Sequence, residues 1–436
     1  MGSLIDDRRV CIIGAGYAGL AAARVFSSNK YKVVVYDERK AVGGVWNYDL
    51  KEGQVYDNLQ TNTPLVVMAY PEYPIVQAAD APSFVQRHHV LAYLQSYAQE
   101  FGLTRLVKFG QTITSIKPES KFDEDTRWFV SKQDRDSGAI STEIFDVVIL
   151  ASGNYSTPHL PSIDLHQFQG SVIHSRDYRR PCDYSEQTVV VLGAGPSALD
   201  ISVDVASRAK QVYLLSGDHD VTESKIPFPS NVAIVPARIS QGLGHALVAT
   251  NGAIIEHIDT VLLCTGYRFN LPFLCESIIS TNGGMRLTPL YKEVVSIRYP
   301  QSLFVMGLQR ESPMAHHASV QARFILAHLE KKTPRLTMEE MLADEAKEVE
   351  RRKALGAPIG DHTKFGFKYN NGRTLFRDYV EDLQATAKLG TVVPDVILDL
   401  FEDTVRKPVS ELRRFRYRLS EDGKSFIKAY HCPFAS

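Results

Sequence analysis

Short, almost wholly apolar runs recur along the first 306 residues, and most of them stop at a glycine or a polar turn. Residues 10–13, 32–36, 145–150, 189–192, 211–215, 261–263 and 303–306 have this form. Continuous apolar runs of this length, bounded by turn residues, predict strands buried on both faces of a parallel sheet. Between them, 21–28, 89–100 and 320–329 read as helices. Residues 109–117 and 128–130 predict strands of a meander, broken by the polar turn 121–126. The stretch 46–80 is rich in Pro, Tyr and Asn without sustained period and predicts an ordered loop. From Arg335 the chain becomes charged and mainly helical, with breaks at 356–360 and 392–394.

Two of the apolar runs end in a glycine fingerprint. Val10-Cys11-Ile12-Ile13 leads into Gly14-Ala15-Gly16-Tyr17-Ala18-Gly19, and Val189-Val190-Val191-Leu192 leads into Gly193-Ala194-Gly195-Pro196-Ser197-Ala198. Each reads as a strand turning tightly into a helix. The first glycine permits the turn, the second lets backbone approach a pyrophosphate, and the third small residue lets helix and strand pack closely. Asp37 and Glu38 end the 32–36 run, where an acidic side chain accepts hydrogen bonds from an adenosine ribose. Two such units mean two dinucleotides, and the natural pair is a flavin with a nicotinamide. The 303–306 run returns the chain to the first unit, so the expected fold is α/β, with two Rossmann-like dinucleotide-binding domains. The second domain, 166–299, is inserted into a discontinuous first domain, 1–165 and 300–436.

Composition mainly excludes alternatives. The 436 residues carry a formal net charge of −1, which gives no pull toward nucleic acid or an acidic membrane. Cys11, Cys182, Cys264, Cys275 and Cys432 contain no Cys-x-x-Cys pair, which argues against a disulfide framework, a structural zinc site or a redox dithiol. The first strand begins near Arg9, leaving no room for a signal peptide, and no apolar run approaches a membrane span. The expectation is a soluble, cytoplasmic protein. The adjacent pairs His88-His89 and His316-His317 lack carboxylates at ligand spacing and predict no metal site.

Further segments carry a family signature. Phe168-Gln169-Gly170-Ser171-Val172-Ile173-His174-Ser175-Arg176-Asp177-Tyr178 has the Phe-x-Gly-x-x-x-His-x-x-x-Tyr pattern of flavin-containing monooxygenases. Gly43-Gly44-Val45-Trp46, Thr61-Asn62-Thr63-Pro64, 146–161 and Cys264-Thr265-Gly266-Tyr267 each resemble that family's segments, in the same order and at similar spacing. The resemblance covers most of 8–330 and, more loosely, the tail. It implies FAD in the first unit and NADPH in the second. The nicotinamide reduces the flavin, O2 adds to give a C4a-hydroperoxyflavin, and its distal oxygen passes to a nucleophilic nitrogen or sulfur of a small organic substrate. Tyr178, where Baeyer–Villiger relatives usually carry Trp, favours this N- and S-oxygenating branch. Oxygenation of a ketone, an NAD(P)H oxidase or reductase, and a nucleotide-sensing binding protein remain alternatives. A homodimer is compatible with the resemblance, which leaves the oligomeric state open.

The same resemblance assigns residues. Asn62 is the active-site amide, able to donate and to accept beside the flavin. Gly14, Gly16, Ala18, Gly19, Asp37, Glu38, Gly44, Val45, Trp46, Thr61 and Ile113 line the FAD, with Ile113 offering backbone to the adenine. Gln321, at the start of a helix after 303–306, approaches the flavin pyrimidine. Gly193, Gly195, Pro196, Ser197, Ala198, Asp200 and Ser216 hold the nicotinamide cofactor. His174 belongs to a hinge between domains more than to proton transfer. Relatives that prefer NADPH carry Arg just after the second strand of this unit, but here the strand ends Ser216-Gly217-Asp218. Ser216 supplies neither that cation nor the carboxylate that favours NADH. NADPH is the expectation, with NADH use open and Lys225 or Arg208 as possible phosphate ligands. Residues 338–353 predict a charged helix covering the first domain, and the 48–81 loops together with the tail predict the substrate-pocket walls.

Overall fold

The computed structural model describes residues 7–430 except 77, 79, 122, 124, 218, 220, 222–226, 359–362, 370–371, 406 and 408. Its largest sheet has seven strands in the order Leu290–Tyr291, Val295–Ser296, Leu303–Val305, Val147–Leu150, Arg9–Ile13, Lys32–Tyr36 and Val107–Lys108. The five from Leu303–Val305 to Val107–Lys108 are mutually parallel, with Val10 beside both Val33 and Val147. Buried on both faces, they are as apolar as a doubly wound sheet requires. The Tyr17–Ser28 and Met314–Leu329 helices pack on one face through Ala18, Ala21, Ala22, Ala315, Ala318 and Ala322, all in one core with Val10 and Phe304. A three-stranded antiparallel sheet, Gln111–Pro118, Trp128–Asp134 and Ile140–Phe145, supplies Ile113, Trp128 and Phe145 to the core on the other face.

The second parallel sheet has the order Ser171–His174, Thr260–Leu263, Thr188–Leu192, Gln211–Leu215 and Val232–Val235. A four-stranded sheet follows it, in which Asp164–Phe168 pairs with Ile239–Gly244. The chain crosses between the two parallel sheets at an antiparallel pair, Thr157–Pro158 with Tyr267–Arg268.

Several expected boundaries move, each for a visible reason. The 145–150 run is two elements, because Asp146 breaks it: its carboxylate accepts the Arg9 N–H at 2.7 Å while its own N–H donates to Arg9 O at 3.0 Å. Phe145 ends the antiparallel sheet and Val147 begins the parallel one. The boundary expected at 299/300 lies earlier. Leu271, Leu274, Ile278 and Leu290 share a core with Trp128 and Leu150, and Leu290–Tyr291 already belongs to the first sheet's edge. The helix expected over 320–329 spans Met314–Leu329, so Gln321 sits in its middle rather than at its start. The charged helix, Met338–Ala354, opens on a capping box between Thr337 and Glu340 and lies against the Leu290–Tyr291 edge.

Candidate functional site

The first glycine loop is a place where side chains have been removed so that backbone can approach backbone. Gly14 has φ +105°, and a Cβ there would press on the Ala151 carbonyl group, whose carbon is 3.0 Å away. Gly43 donates its N–H to Ala15 O at 2.9 Å. Gly44, with φ +53°, lies so close that its Cβ would stand 2.8 Å from Gly16 Cα. Gly307 passes Ala18 equally closely, at 2.8 Å between the Cβ it would carry and that of Ala18. The Tyr17–Ser28 helix starts at Gly16 with no side chain capping it and no acidic residue in its first turn. Its first N–H groups are thus offered to an anion, with the positive end of the helix dipole behind them.

Asp37 is held inside this arrangement. Its carboxylate is buried and accepts the Ala15 N–H at 2.6 Å and the Arg39 N–H at 2.8 Å. Burial pushes its pKa up, and the two backbone donors oppose that shift. The carboxylate therefore ties the loop to the second strand, with spare lone pairs for a ribose hydroxyl. Glu38 beside it points to solvent. Ile113 is buried in the meander, whose backbone meets Asp37 through Gln111 N–H to Asp37 O at 2.9 Å. Val45 and Trp46 form a half-buried turn over Gly44. Thr61 is buried and spends itself on Val85, donating its N–H at 2.8 Å and accepting the Val85 N–H on Oγ1 at 3.1 Å. That pairing fixes the backbone that presents Asn62, whose side chain is exposed and accepts the Thr63 hydroxyl on Oδ1 at 3.4 Å.

Gln321 does not stand at the helix end expected for it. It is fully buried, its Oε1 accepts the Gly307 N–H at 3.0 Å, and its Nε2 donates to Gln309 Oε1 at 3.1 Å and Tyr379 Oη at 3.0 Å. Both ends of the amide are thereby committed to holding the Gly307–Gln309 turn. The sequence reading missed the residues around it. Tyr17 Oη, Gln309 Nε2, Ser319 Oγ and both ring nitrogens of His316 are buried without a protein partner among the described residues. His317 accepts or donates at Ser312 Oγ, 2.9 Å away, inside a cage of Phe365, Phe376 and Tyr379. Burial pushes both His316 and His317 down to about 3, so both are neutral. Orphaned polar groups on the elements framing a side-chain-free loop fit a polar, flat ligand such as a flavin dinucleotide.

The second glycine loop repeats the first in outline. Gly193 has φ +141°, a Cβ there would lie 3.2 Å from the Cys264 carbonyl carbon, and Gly193 N–H reaches Leu215 O at 2.9 Å. The Pro196–Ala206 helix again starts without a side-chain cap, with Pro196 in its first turn. Gly195, Pro196 and Ser197 are exposed there, and Ala198 is buried against the sheet. Ser216 is buried at the end of the neighbouring strand, with a hydroxyl that finds no partner among the described residues. Asp218 and Lys225 lie outside the described residues. Arg208 follows the C-terminus of this 11-residue helix, about 16 Å along the axis from the loop, so it does not take the expected phosphate role.

Asp200, expected at the nicotinamide cofactor, has partners within the protein: its carboxylate accepts the Tyr56 hydroxyl and lies 3.9 Å from the Arg413 guanidinium. Asp204, one turn later, accepts Tyr178 Oη at 2.7 Å and Asn58 Nδ2 at 2.8 Å. Arg179, buried, donates to the carbonyls of Asp49 and Gly53 at 2.9 and 3.0 Å. The fingerprint thus ends in a latch joining the 49–58 loop to the second unit's helix. His174 is tied to backbone at both ring nitrogens. Its Nδ1 accepts the Arg176 N–H at 3.1 Å, which leaves Nε2 to donate to Gly266 O at 3.0 Å, and burial lowers its pKa.

Comparison with known proteins places this geometry. The flavin-binding monooxygenase-like family pattern matches residues 7–226 and 223–424. Flavin-containing monooxygenase FMO GS-OX5 of Arabidopsis thaliana is 31% identical over 384 residues, covering 81% of both chains. Among solved structures, S-allyl-L-cysteine S-oxygenase from Allium sativum superposes with a TM-score of 0.80 at 27% identity, covering 93% of each chain. Tmm from Pelagibacter sp. strain HTCC7211 shares the fold, with a TM-score of 0.80 at 21% identity over 98% of this chain and 97% of that one.

Proposed function

The chain belongs to the flavin-binding monooxygenase-like family, and on that footing we propose that it is an FAD- and NADPH-dependent enzyme transferring one atom of O2 to a nucleophilic sulfur or nitrogen of a small organic molecule. The observation that carries this reading is the pair of uncapped helix N-termini behind two glycine loops in one chain. The likeness to an S-oxygenase over nearly its whole length supports sulfur as the acceptor. The balance is NADPH, H+, O2 and a thioether in, and NADP+, water and a sulfoxide out.

Bound FAD supplies the redox chemistry and the activation of O2. The residues of the chain bind, orient and shield it. The first-turn N–H groups after Gly16 take the pyrophosphate, the spare lone pairs of Asp37 take the adenosine ribose, and Ile113 backbone meets the adenine. Gly44, Val45 and Trp46 cover the loop, and Gln309 and His316 offer buried polar atoms that need partners. Gln321 is a positioning residue, acting through the Gly307 N–H it holds. Thr61 fixes the strand edge so that Asn62 projects its amide into open space, where one group can donate to a reacting oxygen and accept from a nicotinamide amide. Gly193, Gly195 and Ser197 receive the nicotinamide cofactor's pyrophosphate. No side-chain nucleophile is required by such chemistry.

The test is isotopic. FAD-loaded protein is incubated with NADPH, 18O2 and a panel of alkyl thioethers and tertiary amines. One 18O atom per product, with NADPH consumed in equal amount, supports the reading. Peroxide without labelled product across the panel rejects it for an oxidase, and a labelled ester from an added ketone rejects it for a Baeyer–Villiger enzyme.

A further inference from the structure

The stretch that carries Asn62 is held along one side by a second stretch, 83–87. Arg87 donates its N–H to Leu59 O at 2.9 Å, Gln60 and Gln86 form an antiparallel bridge, and Thr61 and Val85 are joined by two bonds. Beyond Asn62, Leu65 donates its N–H to Ser83 O at 2.7 Å. Asn62 therefore stands between ties on both sides, and its backbone is set by wherever 83–87 lies. Neither stretch is a strand of a sheet among the described residues. A lone pair of extended stretches is marginally stable in water, so 83–87 needs a fixed support of its own.

Ser83 supplies that support. It is 3% exposed, and its Oγ accepts the Tyr417 N–H at 2.6 Å while its hydroxyl donates to Tyr417 O at 3.1 Å. One hydroxyl thus engages both backbone groups of a residue 334 positions away, at atoms buried from solvent. Tyr417 is the centre of the strand Phe415–Leu419, which pairs antiparallel with Phe426–Tyr430. Its ring meets that of Phe84 edge-on, with centroids 6.1 Å apart. The backbone of Ser83 therefore holds the Asn62 stretch, and its side chain holds the C-terminal hairpin. Arg413, four residues before Tyr417, lies 3.9 Å from Asp200 on the helix of the second glycine loop. The 413–417 stretch thereby meets both the support of Asn62 and the second unit.

We propose that Ser83 is a positioning residue for Asn62, through which the C-terminal hairpin fixes where that amide stands. The inference rests on the reading of Asn62 as the active-site amide and adds the group that orients it. Without the Ser83 hydroxyl, the Tyr417 N–H and C=O lose their partner. The 83–87 stretch is then free to shift, carrying the Thr61 and Leu65 ties with it. An oriented donor loses its effect steeply on displacement, by about a hundredfold for about 1 Å. Ser83 makes no hydrogen bond to either glycine loop among the described residues, so binding of FAD and of the nicotinamide stays as it is.

The experiment compares Ser83→Ala with the unaltered FAD-loaded full chain, using NADPH, O2 and an alkyl thioether. Product formed per NADPH consumed should fall by about tenfold to a hundredfold, with the balance appearing as peroxide. Flavin content and the anaerobic rate of flavin reduction by NADPH should be those of the unaltered protein. Adding Ser83→Ala to Asn62→Ala should cost nothing further, because the serine acts only through that amide. Thr126→Val is the control: Thr126 is 2% exposed, and its hydroxyl likewise joins two backbone groups, Ser120 N–H at 2.8 Å and Arg127 O at 3.2 Å. It should keep the unaltered ratio of product to NADPH. An unaltered ratio in Ser83→Ala, an equal fall in Thr126→Val, or a full further loss in the double variant would overturn the assignment. If Asn62→Ala itself keeps the unaltered ratio, or the unaltered protein forms no product, the underlying reading falls and this inference with it. Should Ser83→Ala be isolated without flavin, Ser83→Cys, whose thiol is a weaker donor and acceptor, carries the same comparison.

Discussion

Asn58 donates its side-chain amide to Asp204 at 2.8 Å, and so ties the loop leading to Asn62 to the helix that carries the second glycine loop. The same carboxylate accepts the hydroxyl of Tyr178, the last residue of the family fingerprint. Replacing Asp204 by Ala should leave the buried Tyr178 hydroxyl unpaired and destabilise the fold by about 1–3 kcal/mol. Denaturant unfolding of the two proteins measures this. KM for the nicotinamide should rise, while FAD content stays that of the unaltered protein.

Asn62 makes a complementary case, because its exposed amide stabilises little. Asn62→Ala should change unfolding free energy by no more than about 0.5 kcal/mol. Product formation should fall by about a hundredfold or more, the usual cost of one oriented donor at a reacting oxygen. Comparing product formed with NADPH consumed checks whether the lost turnover appears as peroxide.

Gly44 tests the cradle itself. Its φ of +53° is left-handed, and an added methyl would meet Gly16 Cα at 2.8 Å. Gly44→Ala should fold and yet be isolated with little flavin, read as the ratio of absorbance at 450 nm and 280 nm. Gly284→Ala also adds a methyl at positive φ, +85°, but against the Arg268 side chain. It should retain its flavin.

His316 and His317 give the protein an acid limit. Both are buried and neutral, pushed to about 3 from an ordinary 6.5. The unfolded chain therefore binds two more protons than the folded one between these values. Their contribution is fully present above pH 6.5 and is lost as pH falls from there toward 3, at about 2.7 kcal/mol per pH unit for the pair. Glu143, held down to about 2 by Lys132, Tyr36 and Arg9, adds a loss of the same sign below its ordinary 4.5. Unfolding free energy should be level from pH 7 to 8 and drop steeply by pH 5.5. His317→Gln should fold less stably at pH 7.5 but with a shallower acid slope.

The glycine loops, the strands before them and the order of the family segments were legible in the chain. A tight turn at positive φ and a helix packed against a strand leave their mark at single positions, so Gly14, Gly193 and Ala198 announce themselves. Buried parallel strands require unbroken apolar runs, and those were visible too.

Partners distant along the chain were not legible. Asp200 and Gln321 occupy positions where a cofactor contact was expected, and only folding brings Tyr56 to the one and Gly307 to the other. The split at Asp146 depends on Arg9, 137 residues away, and the early return to the first sheet depends on a core shared by Leu271 and Trp128. By itself the sequence determined the architecture and the position of its two glycine loops, because backbone conformation and apolar period are local. The tertiary structure decided which polar side chains are left without a protein partner among the described residues and which are spent inside the protein, because a hydrogen bond needs two groups and the sequence lists them one at a time.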